Sequence, residues 1–423
     1  MTRLVSILLI SLAIPVFGQV ATGPLTIERA VELALARNER AAAAETTVEA
    51  ADARLSRART AFFPRLDVNG SWRNDTSRDT RNTLGTVATL SQPLFDARAF
   101  PLIRFARLER NSIRLFADED KRLLGYDAAD AFLVTLSLEQ VLAAAEHRRE
   151  FARASLEDAR ARFEAGLVSS NDVTRAELEM ATAVRGVAEA SGNVQSARIQ
   201  LATLLNTEII GPLQVPETLL AAAASPSGVS ETAIAEAQQR RNDVAASRLH
   251  VEALRAFAEE PSRRFIPRAD LTAQTSNINE GSISDRNNDA LVGVTLNWPV
   301  FDAGLRRAET AERTAVARGA ELEHRLALRN VEQQIRTAGV RVESEQAALR
   351  EATAALRAAR KNADETNELY RQGLASALEL ADANQRLFEA EVAEVTARYR
   401  MAQAYLALRE AGGLDPLATV END

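Results

Sequence analysis

Apolar side chains recur along this chain with two different periods. Over Val173, Ala176, Met180, Ala183, Val187, Ala190, Val194, Ala197, Leu201 and Leu204 the steps run three, four, three, four. Leu380, Ala383, Leu387, Ala390, Glu394, Ala397, Met401, Ala404, Leu408 and Ala411 repeat that run 207 residues later, with Glu394 the one polar member. Leu328, Val331, Ile335, Ala338, Val342, Leu349, Ala352, Leu356 and Ala359 keep the same heptad register upstream. Heptads sustained this long predict coiled-coil packing, and the alanines let helix axes approach closely. A helix over Leu305–Arg371 would reach roughly 100 Å at about 1.5 Å per residue.

The second period is two. Leu66, Val68, Gly70 and Trp72 alternate with Asp67, Asn69 and Ser71, which predicts a strand over Arg65–Arg73 with one apolar side. Leu291–Trp298 places Val292, Val294, Leu296 and Trp298 on one face, opposite a more mixed set. Thr83–Leu90 and Ala269–Asn277 are weaker strand segments. The polar joins Asn74–Asn82 and Ile278–Asp289 suit exposed hairpin loops.

The two periods occur in the same order twice. Asn38-Glu39, Phe62-Phe63-Pro64-Arg65 and Pro93-Leu94-Phe95-Asp96-Ala97 correspond to Asn242-Asp243, Phe265-Ile266-Pro267-Arg268 and Pro299-Val300-Phe301-Asp302-Ala303, at steady offsets. RFEAGLVSSNDV (162–173) corresponds to LYRQGLASALEL (369–380). Four landmarks in one order mean one duplicated unit. The first repeat is placed at 19–215 (β-hairpin 65–92, helical tip near 166–171) and the second at 229–412 (β-hairpin 268–299, tip near 373–377). A linker at 216–228 joins them, and 413–423 is a C-terminal tail. Each repeat opens with a helix, Thr26 to Ala61 with Thr26 as N-cap or Ser230 to Glu260, that prolines stop. Each then ends in a helical hairpin. At its turn Gly166 or Gly373 takes the left-handed conformation, and Ser169 or Ser170, or Ser376, caps the outgoing helix.

Composition sharpens this picture. Only 5% of residues are aromatic and 26% are charged, which suits long helices without a wide core. A net charge of −8 offers no basic footprint for nucleic acid. Arg3 followed by the apolar run Leu4–Val16 and Val16-Phe17-Gly18 reads as a signal peptide over 1–18. With no later run of about 20 apolar residues, entry into a membrane would have to use strands. The absence of cysteine removes disulfides and a cysteine-linked lipid anchor. His147, His250 and His324 lack ligand spacing, and no catalytic ordering or phosphate loop occurs, so no metal, cofactor or catalytic residue is expected.

Strands with one apolar face fit a membrane barrel or a soluble β-domain alike. If the membrane reading holds, four strands cannot enclose a channel, whereas three copies would supply twelve. The order of elements, the duplication, the helix ending in Phe-Phe-Pro-Arg-Leu, the Pro-Val-Phe-Asp-Ala-Gly passage at 299–304 and the paired Gly-Leu tips resemble the TolC family of outer membrane efflux channels. The resemblance covers essentially the whole mature chain. It implies a mostly α fold in which four β-strands per chain join a twelve-stranded membrane β-barrel, above an α-barrel tunnel of coiled-coil hairpins, in a homotrimer. It implies a passive, non-enzymatic exit duct of a tripartite efflux pump or type I secretion system, held in outer membrane lipid of a Gram-negative bacterium and extending into the periplasm.

By the same resemblance Gly166, Leu167, Ser169, Gly373, Leu374 and Ser376 face a periplasmic adaptor protein, itself joined to an inner-membrane transporter. Asp172, Glu379 and Asp382 would guard the entrance and Tyr370 would help hold it shut. Glu379 and Asp382 share a helix face, so a trimer would make rings of carboxylates, although acids in a first helical turn also complement the helix dipole. The chain departs from the family's type member at Ala375, where an arginine pairs with a tip acid, and at Arg98, which matches Gly304. Trp72 and Trp298 suit either an aromatic girdle or ordinary packing. The alternative from another class is a periplasmic coiled-coil adaptor, which usually has one hairpin beside a lipoyl-like domain. A third, an envelope hydrolase, lacks a catalytic constellation here.

Overall fold

The computed structural model describes residues 23–74, 82–225, 230–280 and 286–416. The expected signal peptide and the tips of both strand hairpins (75–81 and 281–285) lie outside the described residues. The first repeat runs α1 (Ile27–Arg37), α2 (Glu39–Arg59), β1 (Arg65–Asn74), β2 (Asn82–Phe95), α3 (Ala99–Glu164) and α4 (Ser170–Leu205). Then come α5 (Glu217–Ala224), α6 (Glu231–Arg240), α7 (Asn242–Ala258), α8 (Glu260–Arg263), β3 (Arg268–Glu280), β4 (Arg286–Asn297), α9 (Leu305–Arg371) and α10 (Ala377–Ala411).

The opening helix of each repeat is two helices rather than one. Thr26 caps as expected, accepting from the Arg29 amide, but the chain turns extended at Asn38. Asn38 closes α1 through its amide to the Ala34 carbonyl and opens α2 by accepting from the Arg40 amide at 2.8 Å. Its Nδ2 donates to the Leu204 carbonyl at the end of α4. Ser230 caps α6, and Arg241 makes the equivalent break, its guanidinium bonded to Asp243 and to the Ala411 carbonyl. Two further expectations change. The linker contains α5, whose Leu220 and Ala223 are buried. The start of the tail is pinned, because Arg122 and the Tyr126 hydroxyl both donate to the Leu414 carbonyl.

Helices α3 and α9 run unbroken for 66 and 67 residues. Each is paired by shorter helices, α3 with α2 and then α4, α9 with α7 and then α10. The changeover is where the largest core lies. Leu25, Val31, Leu124, Phe132, Leu133, Leu136, Leu201, Leu205, Tyr399 and Leu406 meet there from α1, α3, α4 and α10 and the strand-like bridge Leu25–Leu213. A second cluster of Ile234, Val244, Val331, Ile335 and Ala411 sits halfway along α9. The predicted seams face inward at Ala183, Ala190, Val194, Leu201, Leu380, Ala383, Met401 and Ala404. Glu394, the polar seam member, is buried and paired with Arg398 at 2.7 Å.

The four strands form one antiparallel sheet in the order β1-β2-β3-β4, so the hairpins of the two repeats join through β2 and β3. Register carries the apolar face across the sheet. Leu66, Leu90, Ala273 and Val292 are successive cross-strand partners, and so are Val68, Ala88, Thr275 and Ala290. Partners share a face. The other face carries Asp67, Thr89, Gln274 and Leu291 in one row and Asn69, Val87, Ser276 and Asp289 in another. β2 pairs with β1 only as far as Ser91, so the missing amide of Pro93 removes no bond on that side.

The strand-to-helix turns differ between repeats although both use an aspartate. Gly304 adopts φ +90°, and Asp302 accepts from the Gly304 and Arg306 amides and from the Arg306 side chain. Arg98 stays at φ −70°, and Asp96 accepts from its amide and its guanidinium. A nearer arginine thus replaces the glycine turn.

Candidate functional site

The two helical tips are built alike from hydrogen bonds. At the first, the Gly166 amide donates to Phe163 and the Leu167 amide to Arg162. At the second, Gly373 donates to Tyr370 and Leu374 to Leu369. This paired pattern satisfies the carbonyls left over at a helix end and needs a left-handed residue. Gly166 and Gly373 supply it at φ +71° and +78°. The outgoing helices open on reciprocal caps. The Asp172 carboxylate accepts from the Ser169 amide at 3.1 Å and hydroxyl at 2.9 Å. The Glu379 carboxylate accepts from the Ser376 amide at 2.7 Å and hydroxyl at 2.9 Å. Between cap and turn each tip exposes one leucine, Leu167 at 75% and Leu374 at 72%.

The candidate entrance residues divide into two environments. Asp172 and Tyr370 line the same small hollow with Leu380. Tyr370 is buried, and that burial raises its phenol above the ordinary value against the pull of the nearby Arg162 charge. Arg162 lies over the Tyr370 ring at 4.6 Å, donates to the Tyr370 carbonyl at 3.1 Å and pairs with Asp158 at 2.9 Å. It ties the end of α3 to the end of α9. Glu379 and Asp382 are instead exposed. The backbone bond from Ser376, then the hydroxyl bond, holds the Glu379 carboxyl below its usual range. Asp382 pairs with Arg386 at 2.8 Å.

At the other end of the molecule, the sheet exposes Leu66, Val68, Trp72, Val292, Val294 and Leu296. Trp298 lies just past β4, its ring edge against Phe265 and its indole N–H donating to the Phe265 carbonyl, so it packs at the sheet's base. The polar face holds Arg65 paired with Asp67 and Arg268 paired with Asp270. Sequence reading missed this duplicated pair, although Pro-Arg-x-Asp is written twice, at 64–67 and 267–270. It also missed Arg162, whose partner lies 208 residues away. Of the histidines, His250 meets Glu109 at 2.9 Å and His324 meets Ser247 at 2.7 Å.

A four-stranded sheet with one apolar face, mounted on two helices roughly 100 Å long, suits the subunit of a membrane channel built from several copies. The profile described as outer membrane efflux protein matches residues 30–207 and 233–414, and the chain belongs to that family. It is an outer membrane efflux channel protein, which sets the adaptor reading aside, and its family consists of passive channels.

Two relatives and one solved structure illustrate the likeness. The outer membrane efflux protein BepC of Brucella suis biovar 1 is 26% identical over 425 residues, 96% of this chain and 90% of that protein. The outer membrane protein TolC of Vibrio cholerae is 24% identical over 377 residues, covering 86% of this chain and 85% of its own length. The open-state MtrE channel of Neisseria gonorrhoeae superposes with a TM-score of 0.77 at 20% identity, over 92% of this chain and 89% of that one.

Proposed function

We propose that three copies of this chain close into a twelve-stranded barrel above a tunnel of long helices, and that the trimer is the exit duct of a tripartite efflux pump or type I secretion system. The observation that carries this reading is the sheet order, which leaves β1 and β4 as its two edges. Open edges are untenable in lipid. Setting β4 of one protomer beside β1 of the next continues the antiparallel alternation and removes every edge.

The adaptor docks on the tips, at Gly166, Leu167, Ser169, Gly373, Leu374 and Ser376, and links the duct to an inner-membrane transporter. The exposed Leu167 and Leu374 support this, as apolar knobs at the two turns. Asp172 and Tyr370 hold the closed entrance, while Glu379 and Asp382 form carboxylate rings on the pore axis. Capping does not conflict with that role, since a carboxylate with a lowered pKa stays charged.

The test is the native mass of the mature protein in mild detergent, corrected for bound detergent. Three chain masses are expected. A stable monomer or a hexamer overturns the closed barrel. In bilayers, Glu379→Gln with Asp382→Asn should weaken cation preference, read as a shift in reversal potential under a salt gradient. An unchanged reversal potential would remove both residues from the pore axis.

A further inference from the structure

A cleft of about 800 Å³ lies where the sheet meets the helices, lined by one chain's α2, α3, β1 and β2 with contributions from α7 and β3. Its strand residues are Arg65, Ser91, Pro93 and Arg268. All four belong to the polar face of the sheet, since Arg65 and Ser91 are partners, Pro93 and Asp270 are partners and Arg268 lies two residues from Asp270. The cleft therefore opens on the side opposite the lipid-facing residues, toward the enclosed space. It rests in that respect on the channel reading above.

The lining has two chemistries. Phe63, Leu102, Phe105, Ile113 and Phe257 make an apolar wall, with the Phe105 and Phe257 rings 5.0 Å apart. Five arginines border it, Arg54, Arg57, Arg65, Arg110 and Arg268, against two carboxylates, Asp96 and Glu109. Both carboxylates are already engaged, Asp96 by Arg98 at 2.7 Å and Glu109 by His250 at 2.9 Å. Arg65, Arg110 and Arg268 also have acidic partners, Asp67, Asp52 and Asp270. Arg54 and Arg57 have no ion pair among the described residues and are both exposed on α2. They stand three residues apart and so share a helix face. Planar guanidinium groups beside an aromatic wall suit a carboxylate or sulfonate carried on a flat apolar body. This local excess of positive charge stands out in a chain of net charge −8.

We propose that this cleft is a transient binding subsite for small amphipathic anions passing through the duct, with Arg54 and Arg57 holding the acid group and the phenylalanine wall holding the apolar body. A trimer carries three such subsites just below the barrel. Weak binding on the wall of a conduit retains a solute without preventing its exit.

The test is single-channel conductance of the trimer in planar bilayers, with naphthalene-2-sulfonate added on the barrel side. Naphthalene-2-ylmethylammonium, of similar shape and opposite charge, is the control. The wild type should be blocked by the sulfonate at a concentration about tenfold below that needed for the ammonium. Arg54→Glu with Arg57→Glu should abolish this preference and leave the salt conductance near wild type. Equal block by the two probes, or unchanged sulfonate block in the variant, overturns the subsite. Absence of any conductance in the wild type would overturn the channel reading instead, so the two failures are distinct. Should the double variant fail to assemble, Arg54→Gln with Arg57→Gln gives the same reading through a smaller loss of preference.

Discussion

Gly166 and Gly373 each carry a sharp local demand, since a β-carbon at φ +71° or +78° is strained whatever space surrounds it. Gly373→Ala should cost about 1 kcal/mol locally. Hydrogen exchange should show faster exchange of the Leu374 amide, with the distant sheet unaffected. The glycine and the serine were legible as a helix end followed by an N-cap. What could not be read was the commitment of Asp172 and Glu379 to their own turns, because a cap and a pore ring call for the same residue type. His250 offers a residue-scale test of charge. Its hydrogen bond to Glu109 raises its pKa above 6.5, with burial opposing and Glu323 assisting. A raised folded value means that the pair's stabilisation is fully present below the unfolded value near 6.5 and is lost as pH rises through the folded one. His250→Gln should therefore lower the thermal midpoint at pH 6 and match the wild type at pH 9, measured by circular dichroism. An equal gap at both pH values would show that the charge is immaterial.

Among the elements, the long helices were the most legible and their interruptions the least. Heptad spacing marks α4, α9 and α10 because each seam faces a neighbour along its whole length. The breaks at Asn38 and Arg241 carry no proline or glycine, and their partners are the Leu204 and Ala411 carbonyls, far away in sequence. Asn38→Ala removes one N-cap and strands one carbonyl. It should cost roughly 1–2 kcal/mol in global unfolding. Glu260 is a harsher case. Its carboxylate is nearly enclosed and accepts from Arg264 and from Arg313 at 2.8 Å, while Arg313 also lies over the Phe257 ring. Glu260→Ala leaves Arg264 and Arg313 sharing one carboxylate, Glu309, and a loss of roughly 1–3 kcal/mol is expected from chemical denaturation.

At the scale of the molecule, the sheet was only half visible in the sequence. β1 and β4 show their alternation directly, but β2 and β3 take their faces from pairing. Thr86 and Asn277 lie on the apolar side only because Gly70 and Asn288 flank them in register. Sheet register is a tertiary property, and a one-residue slip would invert it. The faces make a paired prediction. Val294→Arg puts a cation against lipid and should lower the folded yield in vesicles. Thr295→Arg, one residue on, faces the enclosed side and should fold at close to the wild-type yield. Similar yields for the two would invert or abolish the assignment of faces.

The unbroken α3 and α9 beside their divided partners make each protomer a pair of continuous struts alongside jointed ones. At mid-length the partners change over, α2 giving way to α4 and α7 to α10, held there by side chains and by the Asn38 and Arg241 bonds rather than by continuous backbone. Bending α4 or α10 at a tip therefore rotates that helix about the joint. The upper helices and the sheet need not follow, and only a movement that also carries α3 or α9 is transmitted to the membrane end. The tips can be worked like a lever without loosening the part set in lipid.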